Sequence, residues 1–467
     1  MARIPFRALT PMLSLAALLA LPYGPPAAHA GDRTPAASTP ARSAMGELMG
    51  DGTRTAHWTL GNGLRVVTRH IPGAHSTAVT LSFRLGSRED PATREGLAEL
   101  AGQVAFTGRC GDVPARSTLE MDQLRPGGWS LKVGPYLTEM TEACPAPLLP
   151  GVLRQVCQRL RGVVVNDSLM SRSRREVARR LRNNYNLRAG KTLYFLTGEM
   201  AAGRPVETAM RYATGEALGA IASRDVAALL GERLVPANTV LCVVGNLEGL
   251  DLRALVEREA GSIAAGKSAP PPPWGATVPA AADLERPDIK LPVGTVAVLA
   301  PALTDTMHAY FTAFTISAAG SLSRTWSAPE PPLARRFDYS VAVDPELARF
   351  YPPVTSEGRP DLTLTAVLGQ NAEVIADSSA IRVAAESMQW LTGGNIPGDL
   401  LKRSRTDPTV IHTLATILAA LESYGDEAFW SAYRGRLSRA HTLDMLPFLR
   451  WYADPKHLVL LVLRPGH

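Results

Sequence analysis

Side chains that bind metals or stack on nucleic-acid bases are scarce in this sequence. Only four cysteines and nine histidines occur in 467 residues, and aromatic residues make up 6%. His29 lies in the N-terminal leader described below, and no two of the other histidines are three or four residues apart. No single helix can therefore present two imidazoles to one metal ion. The low aromatic content also argues against a nucleic-acid-binding surface, in which aromatic and basic residues alternate.

Two common catalytic motifs are also missing. The sequence contains no G-x-S-x-G nucleophile elbow and no P-loop lysine, so serine-hydrolase and P-loop nucleotide chemistry have no support. Glu139 and Glu142 are expected near a strand end, without a partner acid. The net charge is +6, and its densest basic run is expected to be mainly a solvated helix face. This run comprises Arg172, Arg174, Arg175, Arg179, Arg180 and Arg182.

The N-terminal thirty residues have the pattern of an export signal. Arg3 and Arg7 precede an apolar stretch at residues 13–21, and small residues before and at Ala30 form a cleavage site. A membrane anchor is the alternative, but the stretch is shorter than the roughly 20 residues that span a bilayer. We expect cleavage near Ala30, no transmembrane anchor and a periplasmic or secreted mature chain. Residues 31–50 are predicted to be a disordered lead-in.

The four cysteines leave their redox state open. An oxidising compartment permits disulfides, and four cysteines allow three pairings. Cys242 lies in the apolar run at residues 240–244 and is predicted to be a buried thiol. Cys144 and Cys157 are plausible partners, although the pairing among Cys110, Cys144 and Cys157 is not decided by the sequence. The cysteine spacings match no zinc site.

Residues 96–108, G-L-A-E-L-A-G-Q-V-A-F-T-G, are the stretch around which the chain is organised. Apolar side chains recur at helical spacing, which predicts the buried stripe of an amphipathic helix. Glu99, Gly102 and Gln103 share the other side of this helix. The stripe comprises Leu97, Leu100, Ala101, Val104 and Ala105.

This helix resembles the zinc-site helix of the M16 peptidases, the insulinase, pitrilysin and mitochondrial processing peptidase family. The family pattern is G-x-A-H-x-x-E-H-x-x-F-x-G, and its framework positions are matched by Gly96, Ala98, Phe106 and Gly108. Its chemical positions are not matched. Glu99 and Gln103 stand where the family has histidines, and Gly102 stands where it has the catalytic glutamate.

The resemblance also locates the third zinc ligand, a glutamate on a later helix predicted at residues 168–184. By register this position is Arg180, and a companion acidic position is Ser173. An arginine repels Zn²⁺, so the resemblance implies no catalytic residues, no metal and no cofactor in this chain. We hypothesise instead that Glu99 and Arg180 form an ion pair between the two helices. The alternative is that both side chains point to solvent.

Further segments extend the resemblance. Residues 60–66 match the family's L-x-N-G-L-x-V opening, and Gly86, Ser87 and Glu89 match a following G-S segment. Residues 225–245 resemble the end of the first domain in M16 chains. In the second domain of the family an arginine and a tyrosine orient the substrate. The candidates here are Tyr339 with Arg336 or Arg335, at a spacing shorter than usual.

An internal repeat connects the two halves of the chain. Residues 223–244 align without gaps to residues 442–463, and both stretches read as helix, proline turn and buried strand. The predicted fold is α+β, with two tandem M16-type domains, each a mostly antiparallel sheet packed with helices. The predicted boundaries are residues 51–262 for the first domain, 263–285 for a proline-rich linker and 286–467 for the second domain.

These features lead to three functional hypotheses. The first is a non-catalytic M16-type subunit that pairs with an active, zinc-bearing M16 chain and helps to enclose an extended peptide. The second is a stand-alone periplasmic binding or structural protein. The third, an active metallopeptidase with a non-standard site, needs ligands that the sequence does not supply. The substrate, the identity of the partner and the choice between homo- and hetero-oligomer are not determined by the sequence.

Overall fold

The computed structural model describes residues 52–91, 93–125, 127–185, 189–287, 289–325, 336–340, 344–351 and 396–466. These residues form a six-stranded and a five-stranded sheet, with helices packed on both. The predicted leader, the lead-in at residues 31–50, a predicted strand at 363–367 and a predicted helix at 372–391 lie outside the described residues.

The first sheet is built by the N-terminal half of the chain. Its strands are β1 (Arg54–Thr59), β2 (Arg65–His70), β3 (Ser76–Arg84), β4 (Trp129–Val133), β5 (Leu137–Pro145) and β6 (Thr239–Gly245). The helices of this half are α1 (Leu97–Thr107), α2 (Thr118–Leu124), α3 (Leu149–Gln158), α4 (Asp167–Tyr185), α5 (Ala189–Ala201), α6 (Val206–Thr214), α7 (Ser223–Arg233) and α8 (Leu252–Ala260).

The second sheet belongs to the C-terminal half. Its strands are β7 (Ala280–Arg286), β8 (Val293–Leu299), β9 (Arg336–Ser340), β10 (Asp344–Tyr351) and β11 (Leu458–Pro465). The helices described in this half are α9 (Met307–Thr325), α10 (Gly398–Thr406), α11 (Pro408–Tyr424), α12 (Glu427–Ser438) and α13 (Thr442–Ala453).

The two sheets repeat one topology. The strand orders are β1-β2-β6-β3-β5-β4 and β7-β11-β8-β10-β9. In each, the last strand of the half lies between a parallel neighbour, β2 or β7, and an antiparallel neighbour, β3 or β8. Helix α7 with β6, and helix α13 with β11, coincide with the two copies of the internal repeat, residues 223–244 and 442–463. The predicted α+β fold with two mostly antiparallel sheets is therefore confirmed.

The two halves exchange a helix. Helix α11, from the C-terminal half, packs across β3, β5 and β6, while α5, from the N-terminal half, packs on β7, β8 and β11. Thr416 on α11 and Thr141 on β5 approach to 3.0 Å between their hydroxyls. Arg349 on β10 donates from Nε to the Thr197 hydroxyl on α5 at 3.0 Å. The hydrophobic core under each sheet is thus completed by the other half.

The linker is packed rather than free. Trp274 lies between the halves, with its ring 4.9 Å from that of Tyr136 and 5.2 Å from that of Tyr424. Strand β7 already begins within the predicted linker, at Ala280. No helix in the described part of the chain is both long and apolar enough to cross a membrane.

Two expectations from the sequence are corrected. All four cysteines are buried and free, so the pairing of Cys144 with Cys157 is wrong, whereas the buried Cys242 thiol is confirmed. Glu139 and Glu142 lie within the buried strand β5 and not at an exposed end. Glu139 pairs with Lys132 at 3.2 Å, and Glu142 pairs with two arginines, Arg125 and Arg159.

Candidate functional site: the degenerate metal site

The ends of α1 explain why the framework residues of its motif are present. Gly96 has a φ of +91°, and a Cβ there would lie 2.7 Å from Leu218 Cδ2. At Gly108 a Cβ would lie 2.6 Å from the carbonyl oxygen of Val104. Both positions therefore require glycine for steric reasons, whatever the chemistry of the site. These residues preserve the scaffold of the helix.

The first turn of α1 is held by a buried carboxyl group. Asp90 accepts hydrogen bonds from the backbone N–H groups of Gly96 at 2.8 Å and Ala98 at 2.7 Å. Burial raises the pKa of the Asp90 carboxyl to about 7, against the opposing effect of these two donors. The helix N-terminus is therefore fixed in position by a side chain outside the motif.

The side of α1 that carries Glu99 and Gln103 faces α4, and all residues of α1 are buried. Nη2 of Arg180 lies 2.5 Å from Glu99 Oε2, and Nη1 donates to Gln103 Oε1 at 2.6 Å. The Arg180 side chain is 29% exposed and that of Glu99 is 9% exposed. The hypothesised ion pair is present, and one guanidinium group contacts both residues that the M16 resemblance aligns with histidines. We call Glu99, Gly102, Gln103 and Arg180 the degenerate site.

Two residues that were not predicted from the sequence complete this network. Glu176 accepts a hydrogen bond from Gln103 Nε2 at 2.7 Å, and the Tyr212 hydroxyl on α6 donates to Glu99 Oε1 at 3.1 Å. Glu176 could have been found, because it precedes Arg180 by one helical turn. No local sequence pattern predicts the contact of Tyr212 with Glu99, because that contact depends on how α6 packs against α4. The companion position, Ser173, is fully buried.

Neighbouring side chains cover Gly102, the residue that the M16 resemblance aligns with the catalytic glutamate. A Cβ on Gly102 would lie 3.0 Å from Val133 Cγ2, 3.3 Å from Thr138 Cγ2 and 3.4 Å from Leu131 Cδ1. Strands β4 and β5 thus cover the helix where the family places a carboxylate and its water. A glutamate at Gly102 would have to displace these side chains.

The residues of the degenerate site do not fit a zinc ion. Zinc in such sites is held by neutral imidazoles and anionic carboxylates at about 2.0–2.2 Å. Here the guanidinium of Arg180 occupies the point towards which the other two side chains converge, and a cation there opposes a second cation. Within the described ranges, no three His, Cys, Asp or Glu side chains are grouped so that they could bind a metal.

The overall structure is similar to several solved proteins. A protease from Helicobacter pylori matches with a TM-score of 0.68 at 15% identity, over 88% of this chain and all of its own. A peptidase M16 inactive domain from Pseudomonas fluorescens matches with a TM-score of 0.62 at 11% identity, over 89% of this chain and 98% of its own. The fold is that of the M16 peptidases. The resemblance inferred from residues 96–108 is confirmed.

Two further relatives are matched over about half of their own length. The periplasmic protease PqqL from Escherichia coli has a TM-score of 0.61 and 12% identity, with 88% of this chain but 48% of PqqL covered. In sequence, an uncharacterised zinc protease of Mycobacterium leprae is 27% identical over 225 residues, which are 46% of this chain and 48% of the relative. No protein-family model matches the chain.

The M16 fold places an open sheet edge beside the degenerate site. In the described residues β4 pairs only with β5, so its other edge has no partner strand. Trp129, at the start of β4, stacks on Phe106 of α1 at 5.1 Å between ring centroids. Arg336 and Tyr339, the substrate-orienting candidates, lie on β9, at the edge of the second sheet. Arg335 lies outside the described residues.

Proposed function

We propose that this chain is a non-catalytic M16-type subunit that holds an extended peptide and closes a chamber together with a zinc-bearing M16 partner. The observation that carries the proposal is the contact of Arg180 with both Glu99 and Gln103. These three positions would have to supply every metal ligand, and they form an internal ion pair instead. Gly102 also lacks any group that could act as a general base.

Peptide holding needs no metal. An extended peptide can add a strand to a sheet edge, with main-chain hydrogen bonds giving the affinity. The open edge of β4 supports such a mode, because it runs beside α1 and because Leu131 and Val133 anchor it there. In this proposal Tyr339 and Arg336 or Arg335 contribute to peptide binding from the second half. The chain itself binds no cofactor, and zinc is supplied by the partner.

The size of PqqL supports a second unit in the assembly. PqqL is about twice as long as the part that this chain matches. A second M16-type unit would therefore complete an assembly of comparable size. In the proposal this unit is a separate chain, and the pair works in the periplasm after the leader is removed near Ala30. The inactive M16 domain from P. fluorescens is a precedent for a chain of this fold that carries no activity of its own.

The proposal is tested by expressing the chain alone and together with an H-x-x-E-H chain from the same genome. Zinc content and cleavage of a peptide library are measured in both preparations. We expect zinc and cleavage only in the co-expressed complex, and loss of cleavage when the partner's glutamate is replaced by glutamine. Stoichiometric zinc with cleavage by this chain alone would refute the proposal. Peptide binding without any association would favour a stand-alone binding protein.

A further inference from the structure

One side of α4, next to the degenerate site, is basic. Helix α4 contains six arginines against Asp167 and Glu176. The arginines do not all serve one purpose. Arg174 is on the far side, where it donates to the carbonyl oxygens of Leu218 at 3.1 Å and Ile221 at 2.7 Å. This arginine ties down the chain after α6, and it is not available to a ligand.

Two other arginines, Arg172 and Arg179, lie on the side of α4 that carries Glu176 of the network described above. Arg172, Glu176 and Arg179 are spaced at i, i+4 and i+7, so they share one side of the helix. Arg179 is exposed and Arg172 is half-buried. Nε of Arg172 is buried, and it has no hydrogen-bond partner within the described part of the chain. Beside Arg180, which is already paired with Glu99, this side therefore presents two further guanidinium groups around Glu176.

This basic side and the open edge of β4 flank the same turn of α1. Gly102 faces Val133 of β4, and Gln103, the next residue, contacts Arg180 and Glu176 of α4. Adjacent residues on a helix lie within one turn of about 5 Å. A peptide strand added to β4 would therefore direct every second side chain to the sheet face that carries α1, the helix against which α4 packs.

The acidic groups near this surface are already engaged. Glu120 on α2 binds the backbone N–H and the hydroxyl of Ser117. These bonds lower the pKa of Glu120, and the charges of Arg172 and Arg116 lower it further. Glu176 accepts a hydrogen bond from the side-chain amide of Gln103. The carboxylates nearest the open edge thus have partners within the protein, whereas Arg179 is exposed and Arg172 is half-buried with an unpartnered Nε.

From this arrangement we propose that the extended peptide held at β4 is acidic, with aspartate or glutamate side chains opposite Arg172 and Arg179. The inference rests on the proposed peptide-holding function and names the class of peptide. A peptide accounts for the arrangement better than a nucleic acid, because aromatic residues for base stacking are scarce. It also accounts for it better than a lipid surface, because the exposed side of α4 carries Ser171, Arg175, Arg179 and Arg182 and no large apolar side chain.

The test uses the full chain and three fluorescent peptides of equal length and high β-propensity, whose alternate residues are glutamate, lysine or serine. Binding is followed by fluorescence anisotropy. We expect the glutamate peptide to bind about tenfold more tightly than the serine peptide and to weaken as salt is raised to about 0.5 M. The lysine peptide should bind most weakly of the three.

A double charge-reversal variant tests whether the preference for acidic peptides arises from Arg172 and Arg179. The double substitution Arg172→Glu and Arg179→Glu should remove the preference for the glutamate peptide and improve binding of the lysine peptide. The matched control, Arg224→Glu and Arg253→Glu, changes the charge equally at exposed positions on α7 and α8 and should leave the preference intact. An equal effect of both pairs would show a non-specific charge effect and would overturn the inference.

The remaining outcomes separate the inference from the proposed function. If the serine peptide binds as tightly as the glutamate peptide, peptide holding stands and the acidic preference is refuted. If no peptide binds, both are refuted. Anionic phosphatidylserine vesicles and single-stranded DNA serve as competitors. Either one binding more tightly than the glutamate peptide, with the affinity lost in the Arg172/Arg179 variant, would refute the acidic-peptide assignment.

Discussion

Arg180 and Glu99 join α4 to α1 through an ion pair of 2.5 Å. The two residues stand where the M16 resemblance places a metal ligand on each helix. A zinc ion would link these helices by binding a ligand from each of them, and the ion would be the cation between the two. Here the cation is itself a side chain, and the same guanidinium also contacts Gln103. The helices therefore stay cross-linked without a metal.

Removal of the guanidinium should destabilise the fold. We expect Arg180→Met to lower the free energy of unfolding by about 2 kcal/mol, because the largely buried Glu99 loses its charged partner. Chemical denaturation followed by circular dichroism measures this. The control is Arg182→Met on the exposed side of the same helix, which should change stability by no more than about 0.5 kcal/mol.

A double-mutant cycle identifies the source of that loss. Adding Glu99→Gln to Arg180→Met removes the unpaired charge, so the double variant should be more stable than the sum of the single losses predicts. Additive losses would mean that Arg180 contributes through packing alone and not through the ion pair.

The geometry of the degenerate site should allow zinc binding to be restored. The triple variant Glu99→His, Gln103→His and Arg180→Glu places two imidazoles and a carboxylate where Arg180 now contacts both α1 residues. We expect stoichiometric Zn²⁺ binding by isothermal titration calorimetry, but no peptide cleavage, because Gly102 supplies no base. The double variant that keeps Arg180 should not bind zinc. Equal binding by the two variants would show that Arg180 does not block the site.

Stability should fall on acidification because of His308. This fully buried ring contacts the Tyr433 hydroxyl at 2.8 Å and the Pro345 carbonyl oxygen at 2.9 Å. Burial lowers the pKa of His308 from 6.5 to about 4. The unfolded chain therefore binds a proton more readily than the folded chain. The contribution is complete above pH 6.5, and about 3 kcal/mol of it is lost as the pH falls to 4.

His308→Gln keeps a donor and an acceptor but does not titrate. We expect it to reduce the loss of unfolding free energy between pH 6.5 and 4 by about 3 kcal/mol, which is the contribution of His308. His412, whose pKa burial lowers to about 4, and Asp90, whose raised pKa of about 7 acts in the opposite direction, titrate alike in both proteins. His75→Gln, at an exposed position, should leave the dependence unchanged. A wild-type slope in His308→Gln would show that this ring is not the group responsible.

The exchange of α5 and α11 should make the halves depend on each other. Each helix covers a sheet that the other half builds, so a separate half would expose the apolar face beneath its missing helix. Residues 31–267 and 268–467, expressed separately, should aggregate, whereas the co-expressed fragments should purify as one complex. A cooperative thermal transition from either half alone would contradict this.

The local sequence pattern was sufficient to predict much of the fold. Periodicity located α1 and α4 within a few residues, because the burial of a helix face depends on nearby spacing. The repeat between residues 223–244 and 442–463 predicted two related halves. The exchange of helices between them has no local signature. It depends on contacts between segments some two hundred residues apart along the chain.

The sequence by itself indicated the M16 scaffold and, through the register of that resemblance, predicted Glu99, Gly102, Gln103 and Arg180 at its ligand and base positions. Residue identity is enough for that conclusion, because an arginine cannot serve as a zinc ligand. Only the tertiary structure decided what replaces the metal. The packing of α4 and α6 against α1 brings Arg180, Glu176 and Tyr212 to the two polar side chains. A helix has a defined face, but the element packed on that face is set by the whole core.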